Sequence, residues 1–132
     1  MLGWRRLPIS LRKRTPESSY KESAPLSKPI KVQIVERARA LIADEQHWCR
    51  GHIAQDASGL VVSPTLNSAV KRCGLGALIW AAYQLTHDFD VAYELGHKAL
   101  RPRYGPATLT HVNDERGHAA VLTLFDEVIA AG

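Results

Sequence analysis

A chain of 132 residues, 45% hydrophobic and 23% charged, has room for one globular domain and an ordinary composition for folding it. Its formal charge of +4 is unevenly divided, with a net of +6 over residues 1–31 and −2 over the rest, so the basicity is no sign of a nucleic-acid-binding fold. The longest uncharged apolar stretch, Cys73 to Leu85, falls short of the roughly 20 residues that a membrane-spanning helix needs.

Residues 1–30 carry Pro8, Pro16, Pro25 and Pro29 among Ser, Lys and Arg. Too few apolar side chains remain there to offset the entropy of ordering the backbone, and a disordered basic tail is expected. Pro8 and Arg12 to Arg14 interrupt any apolar run of the kind a secretion signal requires. The stretch Trp4 to Arg14 is both basic and apolar, which suits anionic lipid or nucleic acid. The plainer reading is a solvated tail, or an extension from an upstream start codon.

Residues 31–132 read as a single helical domain. Ile34, Val35, Ala38, Leu41 and Ile42 recur at helical spacing and predict a first helix from about Ile30 to Trp48, with Pro29 just inside its start. From Arg50 to Asn67 the period vanishes. Asp56-Ala57-Ser58-Gly59 is a turn signal between Ile53-Ala54 and Leu60-Val61-Val62, which predicts a short β-hairpin or an ordered loop. Asn67 or Ser68 is a good cap for a second helix reaching Leu85, apolar all round and therefore central. Gly74 and Gly76 inside it suggest that another backbone comes close.

A third helix is expected from Asp88 or Asp90 to about Leu100, where Arg101-Pro102 and Gly105-Pro106 break it. Val121, Leu124, Phe125, Val128 and Ile129 then make the cleanest apolar stripe in the chain, on a last helix capped by Asn113 or Asp114. The expected fold is mainly α, about four helices around a central apolar one.

Three segments carry a family resemblance: Ala38 to Asp44 with Trp48, Cys73 to Leu78, and Asn113-Asp114 with His118, Val121-Leu122, Phe125-Asp126 and Ile129. In this order they resemble a small uncharacterised bacterial and phage family, domain-of-unknown-function family 6197. The resemblance covers about residues 32–131 and leaves the tail outside, whereas chains of that family usually start close to the first helix. It implies a helical domain and carries no activity with it.

Two constellations bear on chemistry. Cys73, His118 and Asn113 or Asp114 are the cast of a cysteine hydrolase, with His118 on the apolar face of the last helix and able to meet Cys73. Against it, a helix capped at Asn67 or Ser68 would bury Cys73 more than a turn inside, where the dipole no longer activates a thiol. His47, Cys49 and His52, with Cys73 as a fourth ligand, have the ligand types of a zinc site at an unfamiliar spacing. Packing residues and a helix cap explain both sets without a ligand, and no catalytic or metal role is assigned to them. No phosphate loop, dinucleotide fingerprint or other cofactor motif occurs.

The expected function is therefore that of a non-enzymatic domain acting through a protein partner, as an accessory protein of a phage or mobile element. The alternatives are a thiol-dependent hydrolase using Cys73 and His118, and nucleic-acid association through the tail. Two cysteines without a CxxC pair suggest reduced thiols and a cytoplasmic location.

Overall fold

The structure, a computed structural model, describes residues 28–132. The tail expected to be disordered lies, but for its last residues, outside them. The described residues form helix α1 (Ile30–Ile42), strands β1 (Ala54–Asp56) and β2 (Ala69–Arg72), then helices α2 (Gly74–Thr86), α3 (Phe89–Lys98), α4 (Pro106–His111) and α5 (His118–Ala131). The fold is mainly α, with five helices and a two-stranded antiparallel ribbon between the first and second.

The core is where the apolar periods place it. Ile34, Val35, Ala38 and Ile42 of α1, Ala77, Leu78, Ala81 and Ala82 of α2, and Val121, Leu124, Phe125 and Val128 of α5 form one buried cluster. Helix α2 packs against both α1 and α3, as an all-apolar helix must. Two glycines let these layers close. A Cβ on Gly96 of α3 would lie 2.9 Å from the Ile79 Cα of α2, and one on Gly76 would lie 2.2 Å from the Ile53 carbonyl oxygen. The close backbone approach expected at Gly74 and Gly76 holds for Gly76, against the loop entering β1, whereas a Cβ on Gly74 would meet the side chains of Leu109 and Val121 at 3.0 Å.

Several boundaries differ from the expectation. Helix α1 stops at Ile42 and not at Trp48. Asp44 turns extended and its carboxylate accepts the Gln46 N–H at 2.9 Å, capping a short 3-10 turn, Glu45–His47. Pro29 sits one place before the helix, its carbonyl accepting the N–H groups of Val32 and Gln33. Helix α2 starts at Gly74 because Ala69–Arg72 is taken by β-pairing, so Asn67 and Ser68 cap nothing. Helix α4 is an additional short element with Pro106 in its first turn. Asn113 and Asp114 lie in a wide π-type turn, Val112–Arg116. Helix α5 begins after Gly117, whose φ of 97° turns the chain, and no side chain caps it.

The ribbon has more pairing than one hairpin. Ala54 pairs Arg72, Gln55 pairs Lys71, and Asp56 pairs Ala69 across a bulge. The Asp56–Gly59 turn forms as expected, the Asp56 carboxylate accepting from the N–H groups of Ser58 and Leu60. It returns the chain along the other side of β1, where Gln55 bridges Val61. On the far side of β2, Trp48 bridges Arg72 in parallel. The segments therefore run in the order 60–62, β1, β2 and 48–49.

Candidate functional site

Three irregular pieces of chain meet at the start of α2, and one side chain ties them together. Asn113 is 1% exposed. Its Oδ1 accepts the Trp48 indole N–H at 2.7 Å and the Gly74 backbone N–H at 2.9 Å. Its Nδ2 donates to the Cys49 carbonyl at 3.1 Å and to Asp114 Oδ1 at 3.0 Å. Both acceptor positions and both donor hydrogens of the amide are used. Asp114 Oδ1 in turn accepts the Gly51 N–H at 2.9 Å. Asn113 with Asp114 thus pins the segment from Trp48 to Gly51 against the first residue of α2.

Cys73 is the residue before that helix, and its Sγ accepts the Gly76 N–H at 3.3 Å. It sits at the N-cap, where a thiolate would feel the helix dipole, and not a turn inside. The environment works the other way. Burial raises the pKa of the Cys73 thiol, and the nearby Asp114 carboxylate raises it further, outweighing the Gly76 and Leu75 N–H groups. Cys49 is buried, donates its S–H to the His52 carbonyl at 3.3 Å, and is pushed up to about 11 by burial and then by Cys73. Both thiols stay protonated at neutral pH. Asp114 is the opposite case: the Asn113 amide and then the Gly51 N–H hold its carboxyl below the ordinary range.

A cleft of about 140 Å³ opens beside Cys73, lined also by His52, Thr110, Asn113 and Asp114. His118 is not among its lining residues. Its Nε2 is hydrogen-bonded to the Ile42 carbonyl, and its ring lies 5.5 Å from that of Trp48. The fold therefore brings Cys73, Asn113 and Asp114 together and sets His118 against the end of α1. His52, not His118, is the imidazole that shares the cleft with Cys73.

The residues weighed as metal ligands are spread. His47 ends the 3-10 turn and lines a separate cleft with Leu41, Ile42, Val70 and Arg72. Cys49 is committed to the His52 carbonyl, and His52 lines the cleft of Cys73. The positive-φ bend at Gly51 separates the last two. Among the described residues no three His, Cys, Asp or Glu side chains converge on one point.

One surface feature was not singled out in the sequence. Leu60 and Val61, 66% and 56% exposed, lie on the outer edge of the ribbon. Asp56 N–H donates to the Leu60 carbonyl and Val62 N–H to the Ala54 carbonyl. In that antiparallel pattern the N–H and C=O of Val61 point away from β1. The apolar run Leu60-Val61-Val62 was the available signal, but its direction depends on pairing that no local pattern specifies.

A family model described as "Family of unknown function (DUF6197)" matches residues 28–131. No curated protein and no solved structure matches the chain. The matched span begins at the first described residues and takes in all five helices and the ribbon.

Proposed function

We propose that this chain, which belongs to the family of unknown function DUF6197, is a non-enzymatic accessory domain that binds an extended segment of a partner protein. The observation that carries the reading is the outer edge of the ribbon. An edge strand offering unpaired backbone groups beside exposed apolar side chains is a template for strand addition, and proteins commonly cover or charge such edges. Among the described residues, Leu60 and Val61 are neither covered nor flanked by charge at the edge itself. A partner strand laid along residues 60–62 would pair with the Val61 N–H and C=O and bury both side chains. The rigid support behind it, β1 paired with β2 and β2 with Trp48, lowers the entropic cost of docking.

The protonated state of both thiols and the placement of His118 give the hydrolase reading less support than the binding one. Free thiols at both cysteines fit a reducing, cytoplasmic setting. Nucleic-acid association through the tail concerns residues outside the described ones and is a separate proposal.

The test is a displayed library of short peptides selected on the purified chain. Selected peptides are expected to protect the Leu60–Val62 amides from hydrogen exchange and to lose binding to Val61→Lys. That substitution, on an exposed residue, should leave stability within about 0.5 kcal/mol of the parent. Peptides that bind Val61→Lys equally well, or leave those amides unprotected, would refute the edge as the binding surface.

A further inference from the structure

Arg72 is a cation that the fold has taken out of water with no counter-charge beside it among the described residues. It is 9% exposed. Its Nε donates to the Pro64 carbonyl at 2.8 Å and its Nη2 to the Leu66 carbonyl at 3.1 Å, and its guanidinium stacks 4.5 Å from the centroid of the Trp80 ring. All three partners are neutral. None of the ion pairs among the described residues includes Arg72. Burial pulls its pKa down to about 10, and the Cys49 thiol beside it is neutral at neutral pH and offers no compensating charge. An uncompensated buried charge is costly, and buried cations are ordinarily paired.

Three of the five guanidinium N–H groups of Arg72 have no acceptor among the described residues. Nη1 of Arg72 makes no hydrogen bond among the described residues, yet it is not a sealed, unsatisfied atom. Arg72 lines a cleft of about 280 Å³ between the end of α1 and β2. Leu41, Ile42 and Val70 supply aliphatic walls, and His47 supplies a second polar group. The volume falls just short of the usual range of ligand pockets, roughly 300–1,000 Å³, which limits it to a small ligand.

We propose that this cleft binds a small organic monoanion, a carboxylate carrying a short aliphatic chain, with Arg72 as its charge partner and His47 as a second hydrogen-bonding group. A guanidinium presents planar N–H donors that match a carboxylate, and a charge-assisted bond in a partly desolvated site is strong. One cation balances a monoanion and leaves a phosphate dianion in excess of charge. The aliphatic walls take the chain of the ligand, which an inorganic anion lacks. This site lies away from the strand edge, so it stands or falls independently of the peptide-binding proposal.

The probe is hexanoate, with hexanamide and inorganic phosphate as comparisons, added to the full chain labelled with nitrogen-15. Hexanoate should shift the Arg72 Nε–H resonance saturably and raise the melting temperature. Hexanamide, without the charge, and phosphate, without the chain, should each bind at least about tenfold more weakly. Arg72→Met removes supports of the ribbon as well as the charge, so the discriminating variants are Leu41→Trp, which fills the cleft, and His47→Ala. Leu41→Trp is expected to abolish the hexanoate shift with the fold retained, and His47→Ala to weaken binding severalfold. An Arg72 resonance unmoved by hexanoate would overturn the proposal. So would an equal response to hexanamide or phosphate, or unchanged binding by folded Leu41→Trp.

Discussion

Asn113 has no charge and no reactive group, yet it makes more of the specific contacts around the start of α2 than Cys73, His118 or Asp114. Truncating it to Ala leaves the Trp48 indole N–H and the Gly74 N–H without their acceptor and the Cys49 carbonyl without its donor. Each buried orphan costs about 1–3 kcal/mol, so Asn113→Ala should destabilise by roughly 3 kcal/mol in a urea titration. A loss below about 1 kcal/mol would mean that water takes over these bonds. Cys73 and Cys49 make a second test at this scale. Both should label slowly with iodoacetamide at pH 7 in the folded chain, with Cys73 ahead of Cys49, because Cys73 borders an open cleft and Cys49 is buried. Rapid labelling of Cys73 at pH 6, lost in a His52 or His118 variant, would restore the nucleophile reading.

At the scale of elements, α5 carries the clearest agreement between pattern and packing. Phe125, at the middle of its stripe, is fully buried among side chains of the core cluster. Phe125→Ala should cost on the order of 3–5 kcal/mol by chemical denaturation, the range of large core truncations. A cost near 1 kcal/mol would place the stripe at the surface. The boundary between β2 and α2 shows the opposite relation. Ser68 is a good helix cap and Val70 fits the apolar pattern, but strand pairing with Ala54–Asp56 claims the segment, and its hydrogen bonds outweigh a local capping preference. The same competition hid the start of α5. Asn113 and Asp114 have the chemistry of caps, and they spend it on Trp48, Cys49, Gly51 and Gly74, distant in sequence.

For the whole molecule, two titrations contribute to the change of stability with pH. The Asp114 carboxyl is lowered by folding, chiefly by the Asn113 amide, so its contribution is present above the unfolded pKa and is lost as pH falls through the folded one. Asp114→Asn should therefore show a flatter loss of melting temperature below pH about 4 than the parent. The Cys49 thiol is raised by burial from 9.0 to about 11. Its contribution is complete below the unfolded value and is lost as pH rises towards 11, because the unfolded chain ionises first. Cys49→Ala should flatten that alkaline decline, and identical slopes in parent and variant would remove Cys49 from the account. The tail has its own check. Deleting residues 1–27 should leave the melting temperature unchanged, with trypsin cutting the parent first at Arg12 to Arg14. A large loss of melting temperature would show that the tail packs on the domain.

The amino-acid sequence by itself determined the class of the fold, the stripes of α1 and α5, the all-apolar α2 and the turn at Asp56–Gly59. Each rests on neighbours within a few residues, which periodicity and turn chemistry report directly. Only the tertiary structure decided what Asn113 binds, which imidazole stands beside Cys73, that Arg72 is buried without a counter-charge among the described residues, and which way Val61 faces. Those outcomes depend on partners up to 65 residues away, such as Pro64 for Arg72 and Trp48 for Asn113. Side chains at such separations meet only after the helices and the ribbon have docked, because burial is shared among all the elements and no single segment encodes it.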